Sequence, residues 1–391
     1  MATNNCVNPL SVEEEEDDEA ERSLESRVPV KVLRAHTDSV TAARFCLGDR
    51  CLVSCSSDRS AILWDVQSCR PLRVLDGLHK RAISDCAVIP NSSRIITVSW
   101  DKKIAAWDLE TGQILWQWKR AGLLTSCHAS SDGRWLVCAA EPQSVVYISD
   151  AATGQTQHQL SEHHRSTITR CRFDPQSQRV ATVSSDRRII LWDLLAQKTT
   201  VSINSNHDNV VSDCCFTGNG HFLSTASWDK SLKLWDLQAG GFRSHGGTKL
   251  QRGHAGSVSS CSFSADASLL VSGSYDRTVA LWDVSSLCQV LTLKGHSDWV
   301  TDVSVSADRK LVASASKDGT VRLWDIENME AIPEVMEKKR TEGSGVHILK
   351  CEECDDPFPV SSLLTSDSLA RCVFCRLKSP SKYQPQLPPL V

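Results

Sequence analysis

Residues 294–326 read KGHSDWVTDVSVSADRKLVASASKDGTVRLWDI, and this stretch decides the architecture. A histidine at 296 opens it, and residues 299–305 alternate in polarity. Ser306-Ala307-Asp308 makes a turn, Leu311–Ser316 is a second run, Lys317-Asp318-Gly319 a second turn, and 321–326 a third run. Short β-rich runs bounded by Asp, Gly and Ser, with no 3.6-residue apolar stripe between them, predict strands.

Working outward, the Trp-Asp pair of this stretch recurs at Trp64-Asp65, Trp107-Asp108, Trp192-Asp193, Trp235-Asp236, Trp282-Asp283 and Trp324-Asp325. The steps are 43, 85, 43, 47 and 42 residues. The step of 85 is two periods, so one copy has drifted. It lies between residues 120 and 160, where runs remain at 124–128, 135–140, 145–149 and 156–160. A period near 43 belongs to four-stranded propeller blades and not to helical solenoids. Seven such units, between about residue 30 and residue 328, close a ring without an exposed edge. The last unit supplies only three strands, and an unassigned run, Val30-Lys31-Val32-Leu33, precedes the first. This run is predicted to be the outer strand of the last blade.

The repeats resemble the WD-repeat family over residues 30–328: a Gly-His pair, then Ser-x-Asp, then Trp-Asp. The resemblance implies an all-β, seven-bladed WD-repeat β-propeller in which a His, a Ser, an Asp and a Trp of each blade form one hydrogen-bonded set. Six units match at fixed offsets, His to Asp 22 residues and Asp to Trp 6. They are His36, Ser56, Asp58, Trp64; His79, Ser99, Asp101, Trp107; His164, Ser184, Asp186, Trp192; His207, Ser227, Asp229, Trp235; His254, Ser274, Asp276, Trp282; and His296, Ser316, Asp318, Trp324. The third unit has Ala121, Glu141, Gln143 and Ser149 there, and is expected to be less stable than its neighbours. Residues 107–116 also resemble the Thr-Gly-x-x-x-Trp end of quinoprotein-type repeats. That match again says strand and turn, and no quinone cofactor is inferred from it.

A Ser, His and Asp set invites a nucleophilic reading. Six parallel copies are unlike an active site, and a Trp caps the Ser where a substrate carbonyl would sit. With no phosphate loop, catalytic dyad or open metal site, the chain is expected not to be an enzyme and to take no small-molecule substrate. Trp100, Trp228 and Tyr275 share the position just before the tetrad Asp, while Trp299 and Arg81 follow the tetrad His. In the resembled family these places lie on the narrow face of the ring. Aromatic and Arg residues are the usual anchors of protein interfaces, so this rim is the expected partner surface. The alternative is that the rings fold over their own blade.

The tail holds Cys351, Cys354, Cys372 and Cys375 in two C-x2-C pairs separated by seventeen residues. That spacing predicts a closed four-thiolate structural zinc site, with metal binding supplying the folding energy of so short a module. The competing reading is four unrelated thiols. Asp355 and Arg376 stand where zinc knuckles often carry Gly, and one site is too few for a RING finger. The other thirteen cysteines fall within the first 290 residues, often in apolar runs, and are expected to be buried free thiols.

The expected layout is an acidic solvated arm (1–27), the propeller (28–328), a linker (329–345), the zinc appendage (346–378) and a Pro-rich tail (379–391). The arm carries nine Asp/Glu and two Arg, whereas the whole chain sums to −4, so neither part reads as a nucleic-acid binder on charge alone. No stretch approaches the 18 or so apolar residues of a membrane helix, and the N-terminus has no basic, apolar leader pattern. A cytoplasmic or nuclear address is expected. The function expected is a scaffold that binds proteins or peptides on the narrow face, as a monomeric propeller within a larger complex, with the zinc tail as second contact. Two alternatives stand beside it. One is a substrate receptor of a cullin-type ubiquitin ligase, against which counts the lack of Arg two residues after Asp in any of the six Trp-Asp pairs. The other is a nucleic-acid contact through the tail, which would show as a steep salt dependence.

Overall fold

A computed structural model of the chain describes residues 28–161, 164–196, 198–238, 246–250, 253–329, 332 and 335, together with the backbone of 347–350 and 357–360. Seven four-stranded antiparallel sheets follow one another around a ring. The first is Val40–Cys46, Cys51–Ser56, Ala61–Asp65 and Pro71–Leu75, counted from the axis outward. The drifted copy keeps all four strands, Leu123–Ala129, Trp135–Glu141, Val145–Asp150 and Thr156–Leu160. The seventh sheet closes as the sequence predicts. Val30–Arg34 is its outer strand, antiparallel to Thr320–Asp325, with Val30 opposite Trp324 and Arg34 opposite Thr320.

The core lies between adjacent sheets. Strands buried on both faces read as unbroken apolar runs, and Cys51–Ser56 and Leu269–Ser274 are buried at every residue. The twelve cysteines among the described residues are free, and ten of them are buried. Five occupy one register position of consecutive inner strands, Cys86, Cys127, Cys171, Cys214 and Cys261. Burial pushes the Cys171 thiol up to about 12, so these groups pack as small protonated hydrophobes.

Every inner strand carries a bulge near its start, and the bulged residue has a hydroxyl in all seven blades. Each hydroxyl donates to a backbone carbonyl of the next blade. Thr41 reaches Ile83, Ser84 reaches Leu124, Thr125 reaches Ile168 and Thr169 reaches Val211. Ser212 reaches Val258, Ser259 reaches Val300, and Thr301 returns to Val40, all at 2.5–2.8 Å. The seventh bond joins the last blade to the first, so the stitch is circular.

The residue after the bulge faces the axis: Ala42, Asp85, Ser126, Arg170, Asp213, Ser260 and Asp302 in blade order. Arg170 spans the channel, with Nη1 2.9 Å from Asp85, Nε 3.0 Å from Asp213 and Nη2 3.7 Å from Asp302. Arg44 pairs with Asp302 and lies 3.5 Å from Asp85. Burial alone would raise Asp85, but Arg170 and Arg44 hold it down at about 2. A buried ion cluster stands only when every lone pair is met. Backbone N–H groups of Cys127, Cys261 and Ala43, each one blade on, donate to these carboxylates at 3.1 Å, beside the hydroxyls of Ser126 and Ser260 and the N–H groups of Cys86 and Cys214.

Candidate functional site

In the six regular blades the His loop and the Asp turn meet on one face of the ring. His Nδ1 lies 2.8–3.3 Å from its Asp carboxylate in every one. The backbone N–H after the His donates to the same carboxylate, Thr37 to Asp58 at 3.1 Å for example. The residue two past the Asp donates to its other oxygen, as Ser60 does to Asp58 at 2.9 Å. With the Asp engaged at Nδ1–H, His Nε2 is left to accept.

The hydroxyl that fills this acceptor corrects the sequence reading. It belongs to Ser54, Thr97, Thr182, Thr225, Ser272 and Ser314, at 2.7–2.9 Å from Nε2. The indole N–H donates to the same oxygens at 2.8–3.2 Å. Ser56, Ser99, Ser184, Ser227, Ser274 and Ser316 stand two residues later, at the mouth of the turn. Each donates instead to a carbonyl of the His loop, as Ser56 does to Asp38 and Ser316 to Asp298. Each also accepts the N–H of its own Asp. Strand periodicity explains the confusion, because residues two apart point to the same side. The signal was a hydroxyl at both places, as in Thr97-Val-Ser99 and Ser314-Ala-Ser316.

Electrostatics at the tetrads follow from burial and these bonds. Burial lowers the pKa of His36, His79 and His296, against the opposing pull of their aspartates. Burial works to raise Asp186, but the His164 hydrogen bond and the Arg165 N–H outweigh it and bring it to about 2. At His36, His79 and His296 neutral imidazole beside carboxylate is therefore the ground state. The Ser or Thr oxygen is enclosed by Trp and His, with no room for an electrophile.

Blade three departs again from the sequence reading. Ala140, not Glu141, takes the register place of Ser56, and Cys138 takes that of Ser54. Arg120 fills the space of the missing set. Its Nη2 donates to Ser149 at 3.0 Å and to the Gly154 carbonyl at 2.9 Å, and its guanidinium lies 5.3 Å over the Tyr147 ring. Burial pushes the Cys138 thiol up to about 11, with Arg120 opposing. From the outer strand of blade two, the indole N–H groups of Trp116 and Trp118 donate to Ala151 and Thr153. Sequence reading missed this arrangement, although Trp116, Trp118 and Arg120 stand together just before the drifted copy.

The tetrad face brings together three of the five expected partner residues. Tyr275 of blade six stacks on Trp299 of blade seven at 4.6 Å, and Trp228 of blade five tilts against Tyr275 at 6.3 Å. Lys317 Nζ sits 4.4 Å from the Trp299 ring. Trp228 is 40% and Trp299 45% exposed. Trp100, 50% exposed, and Arg81 lie apart in blade two. Among the described residues Trp100 makes no ring contact.

On the opposite face a cavity of about 530 Å³ enters the channel, lined by Arg44, His128, Arg172, Phe45, Phe216 and Phe263 among others. The Phe173 N–H donates to His128 Nδ1 at 3.2 Å, and burial with Arg172 beside it keeps that ring neutral. The four tail cysteines, Cys351, Cys354, Cys372 and Cys375, lie outside the described residues. Flanking Cys351 and Cys354 in sequence, the backbone strands His347–Lys350 and Pro357–Val360 pair antiparallel. No group of three metal-ligating side chains occurs among the described residues.

Comparison with known proteins bears on the repeats. The WD domain, G-beta repeat, matches residues 27–65, 69–108, 154–193, 198–236, 247–283 and 287–325, more than half of the chain, and passes over blade three. Human WD repeat-containing protein 88 is 44% identical over 162 residues, 41% of this chain and 34% of that protein. Target of rapamycin complex subunit wat1 of Schizosaccharomyces pombe is 26% identical over 43% of this chain and 54% of its own length. The U5 small nuclear ribonucleoprotein 40 kDa protein of Dictyostelium discoideum is 27% identical over 46% and 50%. The matched stretch thus spans 34% to 54% of the length of these relatives.

Proposed function

Because the chain belongs to the WD-repeat family of β-propellers, we propose that it is a non-catalytic scaffold that holds a protein or peptide partner on its narrow, tetrad-bearing face. The observation that carries this reading is the continuous aromatic row Trp228–Tyr275–Trp299, ending on Lys317 and crossing three blades. Rings fixed by stacking lose little entropy on binding, and large indoles at a rim are the usual hot-spot residues. The tetrads beneath hold the loops that carry them. Relatives whose names make them a complex subunit and a ribonucleoprotein protein are components of assemblies, which fits a holding role.

The test is a full chain carrying Trp228→Ala, Tyr275→Ala and Trp299→Ala, compared with wild type and with Trp100→Ala in affinity capture from cells. Folded triple mutant is expected to lose partners that wild type and Trp100→Ala retain. If it keeps every one of them, this row is not the site.

The tail is proposed as a second contact, held by zinc on Cys351, Cys354, Cys372 and Cys375. The C-x2-C spacing supports the assignment, since each pair clamps a metal from one side. Metal analysis of the full chain should give one zinc per chain, absent when the four cysteines are changed to serine. A version ending at residue 333 should keep the partners of the aromatic row and lose those of the tail.

A further inference from the structure

Blades five and six meet at an unusual pair of thiols. Cys215 and Cys261 stand on neighbouring inner strands, Val211–Phe216 and Val258–Phe263, with their sulfurs 3.5 Å apart. Both line the cavity on the face away from the tetrads. Cys261 is buried, whereas Cys215 is half-buried beside the cavity. The two strands are already fixed against each other. Ser212 donates to the Val258 carbonyl at 2.6 Å, and the Cys261 N–H donates to Asp213 at 3.1 Å. The sulfurs are therefore held in contact by the stitch of the ring and not by a mobile loop.

We propose that Cys215 and Cys261 form an oxidisable dithiol that a small hydroperoxide, entering by the cavity, converts to a disulfide between blades five and six. Cys215 borders the cavity and reacts first. Its sulfur attacks the peroxide oxygen, the O–O bond breaks, an alcohol or water leaves, and Cys215 becomes a sulfenic acid. The Cys261 sulfur then attacks that of Cys215, the S–O bond breaks, and water departs with the Cys261 proton. The peroxide takes two electrons, and each sulfur gives up one. Arg172, which also lines the cavity, favours negative charge on the Cys261 sulfur, against the burial that keeps it protonated. The cavity of about 530 Å³ gives a small peroxide room to reach the pair. A bond here would add a covalent tie between two inner strands that hydrogen bonds and apolar packing now join.

The experiment uses the full chain, treated with hydrogen peroxide, blocked with iodoacetamide and digested without reduction. Mass spectrometry is expected to find the peptide holding Cys214 and Cys215 joined to the peptide holding Cys261, lighter than the two free peptides by two hydrogens and separated by dithiothreitol. Cys215→Ser should abolish the linked pair and Cys214→Ser should keep it. Should Cys215→Ser fold poorly by circular dichroism, fragment ions of the wild-type pair assign the bond to 214 or 215 directly. The proposal is overturned if Cys261 stays fully alkylated while Cys215 ends as sulfinic or sulfonic acid, or if the linked pair survives in Cys215→Ser.

Discussion

Within each tetrad one oxygen serves two nitrogens, and that fixes what a serine substitution measures. Ser314 accepts from Trp324 and donates to His296, both buried, whereas Ser316 joins two loop segments nearer to solvent. Ser314→Ala should cost about 1–3 kcal/mol, because the indole N–H and imidazole lone pair lose their partner in a dry site. Ser316→Ala removes two hydrogen bonds, to the Asp298 carbonyl and from the Asp318 N–H, but both partners are part-buried groups that water can reach, so the cost should stay at about 0.5–1.5 kcal/mol. Urea denaturation of the two variants, side by side, should therefore rank 314 below 316; equal midpoints would contradict the geometry. The His, Asp and Trp of the set were legible because their repeating offsets match the pattern of the resembled family. The hydroxyl was not, because in a strand two candidates of the same kind point the same way and only the diagonal reach of the Trp ring selects between them.

At the scale of the element, blade three shows that a sheet outlives its polar set when a neighbour supplies another. Arg120 reaches across from the end of blade two, and two indoles clamp the turn at 151–154. Arg120→Ala should destabilise this blade by about 1–3 kcal/mol through unpaired groups and lost packing. Arg120→Lys should not restore it, as one ammonium cannot both stack on Tyr147 and reach two oxygens. Amide hydrogen exchange is the fitting measurement: protection should fall first in strands 135–141 and 145–150, with blades five to seven unchanged. The strands of this blade were readable as short runs at the expected period even without the tetrad. Its substitute was not, because a long-range side chain leaves no periodic trace. The circular hydroxyl stitch was hidden differently. It is periodic, at one residue before the axis-facing position, but Ser and Thr are common in strands and only the bulge gives them their task.

Across the whole molecule, acid should weaken the ring in two stages. The lowered His36, His79 and His296 stay neutral in the fold while the unfolded chain protonates near 6.5, so stability begins to fall as pH drops through that value. The aspartates, lowered from 3.8 to about 2 at Asp85 and Asp186, keep their charge in the fold. Their contribution is complete above 3.8 and is lost as pH falls toward 2, on the order of 2 kcal/mol for the fully buried Asp85. Urea midpoints should be flat from pH 7 to 8, decline gently below 6.5 and steeply below 4; a rise on acidification would refute the assignment. Deleting residues 28–35 attacks the ring at its seam. The exposed edge of Thr320–Asp325 should make the variant elute earlier than the intact chain on size-exclusion chromatography, through edge-to-edge self-association.

That seam also carries a clock. Val30 opens the first strand of the ring, yet its partner Trp324 comes 294 positions later. At about 5–20 residues per second the ribosome needs roughly 15–60 s to deliver it. During that interval the earlier blades can stack, but the leading strand stays unmatched, with its backbone groups open to any passing edge. Birth of this protein thus includes an obligatory wait, and a nascent-chain chaperone would have most to protect in the strand Val30–Arg34.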